Sequence, residues 1–246
     1  MNPNSTPDFA LPESPPASEE SAHPEIVERP DLPADLVSGP AGPARLEDTP
    51  FLRALRGSAV TPADPLLYLA YRRLLEEFEA MIAEEQRTWQ GDDPEGAHQM
   101  RVAIRRLRAA LRVFGDVLPR RLARLANREF QRVARVIGAV RDLDVYRENL
   151  SRYAREIPEE ETELLGAYNV YLQEQWESAR RELLACLSGR RYQRLKTRFA
   201  TFLERGPSPG ALARFRAPTI ADAARTLIRK RYKRVLRRGR ALQPDS

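Results

Sequence analysis

The segment HQMRVAIRRLRAALRVFGDVLP, His98 to Pro119, sets one of the chain's two histidines beside five arginines, with Asp116 its single acid. At 100° per residue, His98, Arg101, Arg105, Arg108 and Arg112 fall within an arc of about 80° on one helix. Arg106 lies outside it. Met100, Ala103, Ile104, Leu107, Leu111, Phe114 and Leu118 occupy a separate arc of about 100°, so the helix packs by those and carries the arginines beside the packed seam. A face selected only for solubility mixes signs, because like charges at i, i+4 cost a few tenths of a kcal/mol each. This stripe holds no acid, and arginine's planar fork is suited to gripping phosphate by two bonds at once.

The pattern recurs in Arg128, Arg132 and Arg135, and again in Arg225, Arg229, Lys233, Arg237 and Arg240. From Arg190 to Arg240, 17 basic residues face only Glu204 and Asp222, a net of +15. Several like-signed stripes in one helical domain repel each other unless an anion lies among them, so the expected partner is a polyanion. His98 is a poor metal ligand in such company: nearby positive charge disfavours a divalent ion, and the other histidine, His23, lies in a remote proline-rich arm. A phosphate contact beside Arg101, or a hydrogen bond in the first turn, suits it better. In a second motif, IGAVRDLDVYREN (Ile137 to Asn149), Asp142 and Asp144 diverge by about 200° on a helix and cannot share a metal. Asp142 falls near the face of Arg128, Arg132 and Arg135, where it can orient an arginine, while Gly138 permits close helix approach. No metal site and no cofactor are expected.

The elements that must carry these residues are helices. Between Pro65 and Leu242 the chain is rich in Ala, Leu, Arg and Glu and has no sustained period-2 alternation. Helices are expected over about Pro65 to Gln86, Pro94 to Leu118, Arg120 to Tyr153, Glu159 to Leu187, Arg190 to Arg205 and Thr219 to Leu242, with Gly206 to Gly210 (GPSPG) as a break. The first and last of these echo each other, each with Pro, Thr and Asp at its start and then Tyr-Arg-Arg or Tyr-Lys-Arg within an apolar face. On that reading a second repeat begins at about residue 218 and is cut short.

Length and composition bound the rest. The 246 residues carry 41 Lys and Arg against 35 acids, a net of +6, and 42% hydrophobic residues, enough for a core. Residues 1 to 62 hold ten acids, four arginines and 12 of the 20 prolines, which reads as a disordered acidic arm, net −6, leaving +12 on the remainder. There is no secretory signal and no apolar run of about 18 residues, so neither export nor a membrane span is expected. The lone Cys186 fits a reducing cytoplasm, as a buried apolar residue.

The two motifs, His98-Gln-Met-Arg-Val-Ala-Ile-Arg-Arg-Leu-Arg with Phe114 and Leu118-Pro119, and Gly138-Ala-Val-Arg-Asp-Leu-Asp-Val145, resemble the signature of the CHAD domain family, named for a conserved histidine in an α-helical domain. The resemblance covers roughly Asp64 to Leu242. It implies an all-α bundle of long antiparallel helices, built as two similar four-helix halves around a basic groove, with inorganic polyphosphate as ligand and no catalysis. On this reading residues 63–246 form the domain, about 63–205 the first repeat and about 218–246 the start of an incomplete second, which a second copy of the chain could complete. The ligand contacts the resemblance implies are His98, Arg101, Arg105, Arg108 and Arg112, then Arg135 and Arg141 around the second motif, then Lys233 and Arg237; Arg132 and Arg229 join them as expected contacts from the charge stripes. The protein is expected in the cytoplasm, with polyphosphate granules as one place to find it. The alternatives are a nucleic-acid-binding module, disfavoured because Tyr232 is the one aromatic seen on a basic face, and a docking face for an acidic protein segment. An enzyme using His98 and the two aspartates is the least favoured.

Overall fold

A computed structural model describes residues 46–156, 162–215 and 218–240, with side chains from residue 165 in the second stretch. The described elements are α1 (Pro50–Gly57), α2 (Leu66–Ala83), α3 (Glu85–Gln90), α4 (Pro94–Val113), α5 (Arg120–Tyr153), α6 (Thr162–Ser188), α7 (Arg190–Arg205), α8 (Pro209–Arg214) and α9 (Ile220–Arg240). No strand occurs among the described residues; Pro65 and Thr219 form one isolated bridge. The chain is all-α, as its composition requires.

Local signals account for the helix starts. Asp93 caps α4, its Oδ1 accepting the Glu95 N–H at 2.8 Å, and Pro94 follows at the first helical position, where a missing N–H costs nothing. Pro119 separates α4 from α5, whose 34 residues span about 50 Å. The helix expected through Gln86 instead breaks after Ala83, and α3 runs on to Gly91, whose φ of 69° is the left-handed cap that glycine adopts at no cost. Likewise α4 stops at Val113, not Leu118. Phe114, Val117 and Leu118 are nevertheless buried, in the turn that follows.

The core lies where the apolar arcs meet. α4 packs its Met100, Ala103, Ile104, Leu107 and Leu111 against α2 on one side and α5 on the other, while α6 covers α5. α7 closes the bundle through Phe199, whose ring meets Phe78 at 5.2 Å, Phe130 at 5.2 Å and Phe202 at 5.8 Å. Truncating so central an aromatic costs about 3 to 5 kcal/mol.

The acidic arm was expected to be disordered as far as residue 62. Its last part is ordered: α1 buries Leu52 and Leu55, and Phe51 meets Tyr71 edge-on at 5.5 Å. Proline density hid this, because Pro50 sits at the helix start, capped by the Thr49 hydroxyl, where it favours a helix. Residues 1–45, the bulk of that arm, lie outside the described residues.

The starts of the first and last of the compared helices meet in the fold. The Leu66 N–H donates to the Pro218 carbonyl at 3.2 Å and the Ile220 N–H to the Asp64 carbonyl at 2.9 Å, a reciprocal pair joining the starts of α2 and α9. Each start is fixed by the same Thr-x-x-Asp device: the Thr61 hydroxyl donates to Asp64 Oδ2 at 2.9 Å, and the Thr219 hydroxyl to Asp222 Oδ2 at 2.7 Å. Beyond these starts, Leu74, Phe78, Met81 and Ile82 on α2 and Ile228, Tyr232, Val235 and Leu236 on α9 are apolar sets of the same spacing. The α2 set packs in or against the core; the α9 set is exposed.

Candidate anion-binding groove

α4 and α5 run antiparallel, a consequence of the short turn at Pro119. Between them opens a cleft of ≈ 400 Å³ lined by His98, Arg101, Val102, Arg105 and Arg108 of α4 with Gln131, Ala134 and Arg135 of α5. The α4 stripe can reach this wall because α5 is thin there. Ala134 is small, and Gly138 lies under the Arg101 guanidinium, where an added Cβ would sit 3.7 Å from Cζ. That is ordinary contact, so Gly138 is convenient at this crossing and not obligatory. The crowded glycine is Gly96, whose Cβ would fall 2.8 Å from the Arg87 Cβ, between α3 and α4.

The electrostatics of the cleft are one-sided. Arg101 pairs with Asp142 at 2.9 Å, as the position of that aspartate on α5 suggested, although the partner comes from α4 and not from Arg128, Arg132 or Arg135. Among the described residues, no carboxylate lies within 4 Å of Arg105, Arg108, Arg112, Arg128 or Arg135. Arg108 is half-buried and its Nε, wholly enclosed, has no hydrogen-bond partner there. Burial first, and then the charge of Arg112 one turn on, push the Arg108 guanidinium below its usual range. A half-buried cation that lacks an anion is costly by itself and well placed to receive one.

Other expected contacts lie elsewhere. Arg132 sits 3.9 Å from Glu129, which Arg191 grips by two bonds of 2.6 and 2.7 Å; the Arg191 bonds hold the Glu129 carboxyl below its usual range. Arg141 pairs with Glu148 at 3.1 Å. Arg112 occupies the last turn of α4, and neither it nor Arg132 and Arg141 line the cleft. Arg229, Lys233 and Arg237 are exposed along α9, outside the cleft lining, because α9 touches the bundle through its first turns and α2. The two aspartates part as their spacing dictates. Asp142 is exposed, whereas Asp144 is buried, accepts the Trp176 Nε1–H at 2.7 Å and is raised by burial above the usual carboxylate value. No group of three or more His, Cys, Asp or Glu among the described residues is placed to hold a metal.

Sequence reasoning missed Gln131, Val102 and Ala134 as lining, since none carries charge. It also missed Tyr146 and Tyr153. These lie 11 and 18 residues beyond Arg135 on α5, so their directions are within about 20° of it, a helical periodicity that could have been read. With Asn149, Leu150 and Arg152 of α5, Glu156 in the turn beyond it and Tyr168 of α6 they line a second groove of ≈ 420 Å³.

Comparison with known proteins bears on this architecture directly. No curated protein matches. Among solved structures, the crystal structure of the CHAD domain from the plant Ricinus communis superposes with a TM-score of 0.59 at 25% identity, over 76% of this chain and 61% of that one, so this chain spans under two thirds of its length. The family model for the CHAD domain matches residues 72–246, which include both motifs and all the helices that build the cleft. By that match and the helical fold that accompanies it, the chain belongs to the CHAD domain family.

Proposed function

We propose that the α4–α5 cleft binds inorganic polyphosphate without acting on it chemically. The observation that carries this reading is the set Arg105, Arg108 and Arg135, converging on one cleft with no carboxylate to neutralise them. A linear chain of phosphates offers charge at every unit and needs no base-specific contact, which suits a wall of arginines with a few small residues between them. Family membership supports the same ligand. Arg101 stands apart, since Asp142 already holds it; it acts as a pivot that can swing from carboxylate to phosphate.

Calorimetric titration of the full chain with long-chain polyphosphate at two salt concentrations tests the reading. With His98 and four arginines on the cleft, the logarithmic salt slope should be on the order of 3 to 4. Arg105→Ala with Arg135→Ala should lower both the affinity and the slope. Tighter binding of duplex DNA at equal salt, or a slope unchanged in the double variant, would defeat it.

A further inference from the structure

Beyond the basic cleft, along the same face of α5, lies a groove lined by tyrosines. The pairing of Arg101 with Asp142 sets the register of the antiparallel helices, so that Arg108, Arg105, Arg101 and His98 succeed one another in the direction in which α5 numbers rise. Tyr146 stands one turn past Asp142, about 6 Å along the axis, and Tyr153 about 10 Å further. All three lie within about 20° of the direction of Arg135. The outer face of α5 therefore runs from cation to aromatic.

The character of the second groove differs from that of the first. Tyr146, Tyr153 and Tyr168 are 56%, 54% and 47% exposed, and Tyr168 stacks on Tyr171 with ring planes 20° apart. Arg152 donates to Asn149 Oδ1 at 2.8 Å, which leaves the Asn149 amide hydrogens free to donate, and Glu156 supplies a carboxylate acceptor on the rim. One acid against one base makes the groove close to electroneutral. It is thus a poor continuation for a phosphate chain and a suitable seat for a flat, uncharged ring with donor and acceptor edges. Stacking faces next to a cationic track are what a base joined to phosphates requires.

We infer that the tyrosine groove at the His98 end of the cleft is an end-group subsite, taking the nucleobase of a nucleoside 5′-polyphosphate whose phosphates lie along His98, Arg101 and Arg105. This rests on the phosphate-binding reading of the cleft. The base stacks on Tyr146 and Tyr153, its exocyclic amine donates to Glu156 and a ring nitrogen accepts from Asn149. From Tyr146 back to Arg135 is about 16 Å, so a chain of several phosphates engages the whole cleft while the base stays in its groove.

The experiment compares inorganic pentaphosphate with adenosine 5′-pentaphosphate, titrated into the full chain at equal ionic strength without divalent ions. The adenosine form should bind about five- to tenfold more tightly, in line with stacking on exposed aromatics. Tyr146→Ala with Tyr153→Ala should abolish that excess and leave the inorganic chain unaffected, whereas the corresponding Phe pair should retain it. Equal affinity of the two ligands, or an excess that survives the alanine pair, overturns the subsite and leaves the phosphate cleft standing. Failure of both ligands to bind at low salt would overturn the cleft reading itself, and the subsite with it. An oligoadenylate that depends more strongly on the tyrosines than adenosine pentaphosphate does, at equal phosphate, would replace the end-group assignment by a single-strand track.

Discussion

Arg108→Met separates a binding cation from a structural one. The methionine keeps most of the alkyl stem that packs beside the seam and removes the guanidinium, whose Nε is enclosed without a partner. An unsatisfied buried donor costs about 1 to 3 kcal/mol, and repulsion from Arg112 one turn away adds a few tenths. Arg108 is only half-buried and part of its fork reaches solvent, so the lower end applies: the free variant should be more stable by about 1 kcal/mol. In the bound state the sign reverses. A charge-assisted bond to phosphate contributes about 1.5 to 3 kcal/mol, so polyphosphate affinity should fall about 10- to 100-fold. Urea unfolding with and without polyphosphate, paired with calorimetry, reads both effects on one sample. A variant that is less stable when free and binds unchanged would refute the reasoning, because Arg108 would then be a packing residue.

The remaining expectations concern the frame around the cleft. Lys196 and Glu85, 1% and 3% exposed, form a buried pair at 2.8 Å between α7 and α3; Lys196→Met alone should cost about 3 to 5 kcal/mol in urea unfolding, and adding Glu85→Leu should recover much of it. Gly96→Ala forces a Cβ to within 2.8 Å of Arg87 and should cost about 1 to 3 kcal/mol, measurable as a lowered midpoint. Asp144 has its folded carboxyl raised above 3.8 by burial, so the native state holds that proton longer than the unfolded one does. Its contribution to stability is therefore full below 3.8 and lost as pH rises through the folded value. Asp144→Asn keeps the acceptor for Trp176, and between pH 4 and 7 it should gain stability relative to the parent; an unchanged difference would contradict this.

Much of the cleft was legible because helical periodicity is strict. A stripe at i, i+3, i+7 and i+10 stays a stripe once folded, and four of its five members, His98, Arg101, Arg105 and Arg108, line the cleft together. The boundary at Asp93-Pro94 was legible for the same local reason, a cap followed by proline. What stayed hidden depends on contacts distant in sequence. Lys196 is one of the 17 basic residues between Arg190 and Arg240, and nothing near it in sequence marks it as buried, yet Glu85, 111 positions earlier, pairs with it in the core. The break between α2 and α3 has no breaker residue of its own, since Glu84 is a good helix former. The cap at Gly91 ends α3, and the close approach of Gly96 to Arg87 seats α3 on α4; neither is visible in the run of residues at the break itself. The basic residues of α9 repeated the stripe pattern, but pattern says only that they share a face, not which helix that face meets.

The reciprocal bridge between Asp64–Leu66 and Pro218–Ile220 also bears on the order in which the chain assembles. α2, α4 and α5 follow one another closely and meet through nearby turns, so their contacts close short loops. The bridge joins residues about 150 positions apart, and its closure entropy is recovered only by a few hydrogen bonds and the first turns of α9. Docking of α9 is then a late event in folding and the first to be undone. Amides along Ile228 to Leu236 should exchange with solvent well before those of α4, and equal protection of the two helices would show that α9 belongs to the same cooperative unit as the cleft.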